Sequence, residues 1–99
     1  MTEATTVTFQ GAMTIRNAAT TLKALGAALT GSDRVTVDCS AVEEVDLTFI
    51  QILLASCRGA ALAGKTLRLA SPPAGALLDI LVRGGFVGGA PDERRFWGV

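Results

Sequence analysis

The stretch Val42-Glu43-Glu44-Val45-Asp46-Leu47-Thr48-Phe49-Ile50-Gln51-Ile52-Leu53-Leu54 changes period in its middle. Upstream, Val35-Thr36-Val37-Asp38 alternates as a half-buried strand does. After Asp46 the apolar residues are spaced like one face of a helix. An acidic segment, Ser40 to Asp46, therefore stands between a strand and a helix, with an extended part expected at Val42 to Val45. In an α/β domain such a junction is held by rigid elements at both ends and is a natural place for a site.

Working outward, the second long helix is expected over Leu47 to Ala63. Leu47, Ile50, Leu53, Leu54, Cys57, Ala60 and Ala61 fall on one side of it. Asp46 is placed to cap it, where a carboxylate also meets the positive end of the helix dipole. Gly64 ends the helix, and Lys65 to Leu69 alternates as a further strand. Before the central strand, Asn17 to Leu29 is expected as a helix. Asn17 would be its cap, Gly31 its left-handed stop, and Ile15, Ala18, Ala19, Leu22, Leu25 and Leu29 its buried stripe. Thr6 to Phe9 suits a first strand. Gln10-Gly11 reads as a turn, and Ala12 to Ile15 as a short strand pairing back on the first. Ser71-Pro72-Pro73 opens a third helix that buries Leu77, Leu78, Leu81 and Val82 and stops at Gly84-Gly85. The segment from Phe86 to Val99 is a tail that packs back on the domain or stays partly mobile.

Helices alternating with strands predict an α/β fold. The expected sheet is mixed, mostly parallel and four-stranded, with about three helices. Ninety-nine residues suit one small domain, and 49% hydrophobic residues suit a globular one. Only 5% are aromatic, so aliphatic residues must build the core. Nine basic and nine acidic residues cancel, which argues against a nucleic-acid binder or a polybasic membrane anchor. The N-terminus lacks the pattern of a signal peptide, and no apolar run reaches membrane-spanning length. The expected location is the cytoplasm, where Cys39 and Cys57 stay reduced as small buried residues.

The chain has no histidine and no tyrosine. It thus lacks the commonest general base and the commonest metal ligand. No catalytic set can be assembled, so the protein is expected not to be an enzyme, with no cofactor and no metal. Gly59-Ala60-Ala61-Leu62-Ala63-Gly64-Lys65-Thr66 matches the phosphate-loop pattern, but in the wrong context. That mechanism needs a strand before the loop and a helix after it, whereas here a helix enters and a strand leaves. Asp38, Glu43, Glu44 and Asp46 are the densest acidic group. A carboxylate pair or magnesium site is one reading. The favoured one is a strand end, two solvated glutamates and a helix cap. Phe49 is about 100° round the helix from Ile50 and is expected to be half covered, as a partner contact or as packing under the loop.

These segments resemble a STAS domain, the fold of bacterial anti-sigma-factor antagonists. The resemblance is carried by Gly11 to Ile15 with Asn17-Ala18, by Val35 to Ser40, by Val45 to Ala55 and by Gly64 to Leu69, and it covers nearly the whole chain. In that family an aspartate before the second helix is followed by Ser or Thr and then a small residue. The hydroxyl is phosphorylated by a partner kinase of the GHKL ATP-binding type, which breaks the complex. Here Asp46 matches the aspartate, Leu47 takes the acceptor position, the hydroxyl comes one place later at Thr48, and Phe49 replaces the small residue. The resemblance implies a protein-binding regulator whose partner is an anti-sigma factor, a serine kinase or a histidine-kinase-like ATPase. Contacts would fall on Glu43, Glu44, Asp46, Thr48, Phe49 and Gln51, with Thr48 as the candidate phosphorylation site. Two other roles fit members of this family. One is a cytoplasmic accessory subunit of a lipid-transport ABC system, and the other a small-ligand or nucleotide-sensing domain.

Overall fold

The computed structural model describes residues 4–84 and 96–97. The order of elements is β1 (Ala4–Met13), a single 3-10 turn (Ile15–Asn17), α1 (Ala18–Gly31), β2 (Arg34–Val45), α2 (Leu47–Leu62), β3 (Thr66–Leu69) and α3 (Gly75–Arg83). Among the described residues the sheet has three strands, all parallel, in the order β1-β2-β3. The α/β class and the three helices are as expected; no fourth strand is present among the described residues.

The missing strand has a physical cause. Gln10-Gly11 is not a turn, because β2 continues far enough to pair with both halves of the first segment. Ala4 to Thr8 lies beside Arg34 to Asp38, and Gln10 to Met13 continues beside Ala41 to Val45. Gly11 keeps the left-handed conformation that suggested a turn, with φ 73°, but spends it on a kink inside β1. The register shifts twice, between Thr8 and Gln10 and between Gly11 and Ala12, and each time the extra residue belongs to β2.

Those two bulges also explain the acidic segment. It is not a loop but the second half of β2. Val42 and Val45 both pack on the core although three residues apart, which strict alternation forbids. The inserted residue absorbs the mismatch and leaves Glu43 and Glu44 adjacent and both exposed.

In the regular half of the sheet, Val7, Val37 and Leu69 sit side by side, as do Thr5, Val35 and Leu67. Val35 and Val37 are completely buried. The alternate residues Ala4, Thr6, Thr8, Arg34, Thr66 and Arg68 are exposed, so one sheet face is covered and the other open. α2 packs against β3 and α1 and buries Phe49, Ile50, Ile52, Leu53, Leu54 and Ala60. It stops as expected at Gly64, φ 74°. The Lys65 N–H donates to the Ala60 carbonyl (2.8 Å) and the Gly64 N–H to the Ala61 carbonyl (3.1 Å), satisfying two orphan carbonyls.

α1 departs further from expectation. Its buried residues are Thr21 and Leu25, while Ile15 (68% exposed) and Leu22 (53%) face solvent. Ile15 belongs to the 3-10 turn and so falls out of phase with the stripe. Asn17 does not cap α1 with its side chain; its Oδ1 reaches back to the N–H (3.4 Å) and hydroxyl (3.3 Å) of Thr14. Gly31 closes the last turn without a left-handed φ, and the chain leaves through extended Ser32. In α3, Leu77 and Leu81 are buried as expected, but Val82 is exposed and the two prolines precede the helix. The expected Gly85 stop and most of the tail, 85–95 and 98–99, lie outside the described residues. Phe96 and Trp97 pack into the core, ring edge to ring face at 4.7 Å.

Candidate functional site

Asp46 stands where β2 hands over to α2, and it is held from three sides. Its N–H donates to the Met13 carbonyl (3.3 Å). Its Oδ1 accepts from the Phe49 N–H in the first turn of α2 (3.3 Å), the cap expected from the sequence. Its Oδ2 accepts from the Ile15 N–H (2.8 Å). The last bond had no sequence signal, since its partners are 31 positions apart. One carboxylate thus serves orphan amides at the starts of two helical segments, which fixes the junction as a rigid corner.

The side chains presented around that corner differ from those expected. Leu47 was expected in the core by its period, yet it is 47% exposed. Phe49 was expected to be half covered, yet it is 1% exposed and packs edge-on against Phe9, with centroids 5.5 Å apart at 88°. Both shifts have one cause. The buried arc of α2 is wide and displaced toward the Phe49 and Ile52 side, where β1 supplies Phe9. Leu47, on the other flank of Ile50, is left in solvent. Phe49 is therefore part of the core and is not available as a surface contact. Thr48 is half-buried; Gln51, Glu43 and Glu44 are exposed.

The four acidic residues do not converge. Asp38 turns to the next residues of its own strand. Its Oδ1 accepts from the Ser40 N–H (2.9 Å), and this bond, helped by the Ser40 hydroxyl, holds its carboxyl below the usual value. Among the described residues no three His, Cys, Asp or Glu side chains are grouped so as to hold a metal ion. Cys39, between Asp38 and the bulge, packs against the core; burial first, and the Asp38 charge second, push its thiol up to about 12. It is a protonated, unreactive thiol at neutral pH. The phosphate-loop match has the context that disqualifies it: Gly59 to Leu62 is the last turn of α2, and Lys65 leads into β3 while its ammonium donates to the Leu29 carbonyl. No helix among the described residues is long and apolar enough to cross a membrane.

A family model described as "Mlab, STAS domain" matches residues 2–88. The chain belongs to the STAS domain family. STAS domains are in general non-catalytic and serve protein–protein interaction or sensing. No curated protein matches the chain. A solved structure described as "Crystal Structure Analysis of Mglu" is similar with a TM-score of 0.61 and 20% identity, over 71% of this chain and 18% of that one. At that identity the likeness concerns the fold alone, and this STAS chain spans only a small part of that protein's length.

Proposed function

We propose that this STAS domain is a protein-binding regulator of the anti-sigma-antagonist kind. It docks on a GHKL-type kinase, an anti-sigma factor or a signalling histidine-kinase-like ATPase in the cytoplasm. The contact surface is the end of β2 and the first turns of α2, with Glu43, Glu44, Asp46, Thr48 and Gln51 from the expected set, Leu47 added and Phe49 removed. The observation that carries this reading is the exposure of Leu47 directly after the clamped Asp46. A large apolar side chain held in solvent on a rigid corner, with two exposed glutamates and an exposed glutamine within four positions of it in the chain, has the make-up of an interface centre with a polar rim. Because Leu47 stands where the family has its acceptor hydroxyl and cannot itself carry phosphate, the apolar contact at that position is not switched by phosphorylation there. Thr48 is the remaining hydroxyl, and a phosphate there would meet the positive end of α2.

The test is affinity capture with the whole chain as bait, comparing wild type with Leu47→Asp, and identification of captured proteins by mass spectrometry. The expected result is an ATP-binding kinase-like protein that the variant fails to retain. Equal capture by both baits would remove the surface from consideration, and a membrane-transport ATPase in its place would favour the lipid-transport accessory role. Incubation of the captured kinase with ATP then reads phosphate on Thr48 directly.

A further inference from the structure

The two edges of the sheet are built differently. β3 is four residues long, follows Lys65, contains Arg68 and has Phe96 beside it. β1 is ten residues long, and from Ala4 to Met13 it contains no charged residue and no proline. Among the described residues nothing pairs with its outer edge. Natural edge strands are blunted by lysine, proline, shortness or a bulge. Both bulges here lie on the β2 side, so β1 stays extended and unbroken from Ala4 to the kink at Gly11. Its composition, rich in Thr with Val and Phe, favours strand pairing.

We propose that β1 pairs antiparallel, edge to edge, with β1 of a second copy of this chain, joining two three-stranded sheets about a twofold axis. The choice of a second copy follows from charge. Antiparallel self-pairing centred on Val7 sets the strand against its own reversed sequence, so a strand charged with one sign would repel its own image. β1 carries no charge to repel. On the open face of the sheet Thr6 and Thr8 meet the same two threonines of the copy, and opposed threonines at that spacing support each other by hydrogen bonding. On the covered face Val7 and Phe9 extend the apolar layer across the junction. The regular stretch offers only the residues from Ala4 to Gln10 on each side, less than a standard stable interface. The dimer is therefore concentration-dependent. It leaves the corner at Asp46 outside the pairing, so failure of the dimer and failure of the docking reading are separate outcomes.

The test is sedimentation of the full chain across a concentration series, with the double variants T6K/T8K and T6E/T8E. Thr6 and Thr8 are exposed, and circular dichroism checks that both variants keep the wild-type fold. The expected result is a wild-type dimer that grows with concentration, each variant monomeric alone, and a dimer restored when the Lys and Glu variants are mixed. A wild-type chain that stays monomeric throughout overturns the proposal. So does a dimer that the Lys variant leaves intact, or a mixture that does not reassociate.

Discussion

α1 and α2 are neighbours on one sheet, similar in length and similar in overall apolar content, yet they do different jobs. α2 buries six residues, among them Phe49, Ile50 and Leu53, whereas α1 buries Thr21 and Leu25 and otherwise touches the core through half-buried small residues and Leu29. α2 starts on a carboxylate cap and ends on a left-handed glycine; α1 has neither. Apolar content alone does not make a helix structural. What counts is the arc it buries and whether its ends are satisfied. The candidate docking surface is on the better-anchored helix, which suits a contact that must hold its shape.

The strongest way to break this comparison is to empty the cavity-forming positions on each helix. Phe49→Ala removes a completely enclosed ring and its partner contact with Phe9. It is expected to lower unfolding free energy by about 3–5 kcal/mol in denaturant titrations. Leu25→Ala on α1 is expected to cost about 2–3 kcal/mol, near the low end for a buried leucine, because the small residues around it can close in. Leu22→Ala, on the exposed flank, should fall within about 0.5 kcal/mol of wild type. If the two α1 variants proved equal, the buried arc assigned to α1 would be wrong.

The caps offer a finer test. Asp46→Ala is expected to cost about 1–2 kcal/mol, the upper range for a lost N-cap, since it strands the Ile15 amide as well. Asp46→Asn, which keeps an acceptor, should recover part of that in the same titration.

Alkaline titration probes the strand that feeds α2. The Cys39 thiol ionises near its ordinary value when the chain is unfolded but only near 12 when folded. The unfolded state therefore releases its proton first, and the stabilisation present below about pH 9 is lost as pH rises toward 12. Melting temperatures between pH 8 and pH 11 should fall more steeply for wild type than for Cys39→Ala. The smallest effect on folding belongs to Leu47→Asp, within about 0.5 kcal/mol, since that side chain already faces water. Its consequence is expected in partner capture alone.

Much of α2 could be read from the residues themselves. Its start at Leu47 and its stop at Gly64 are written in local chemistry, a carboxylate cap and a residue tolerant of positive φ. The mostly parallel character of the sheet followed from alternation of helix and strand. What could not be read depended on distant partners. The continuity of β1 through Gln10-Gly11 exists because β2 runs on beside it, and Val42 and Val45 share a face only through an inserted residue. The burial of Phe49 depends on Phe9, 40 positions away in the chain and brought close by the sheet. Leu47 and Phe49 exchanged roles because helical periodicity locates a face but not how far it extends to either side.

The doubly used carboxylate of Asp46 has a dynamic corollary. The amides of Ile15 and Phe49 belong to segments far apart in sequence, but both are protected by the same side chain. Neither can exchange its hydrogen with solvent by the usual route unless its own oxygen lets go. Rotation of that one carboxylate releases both at once. The two amides should therefore open together, so that an isotope label appearing at the start of α2 is matched by one at the start of the 3-10 turn.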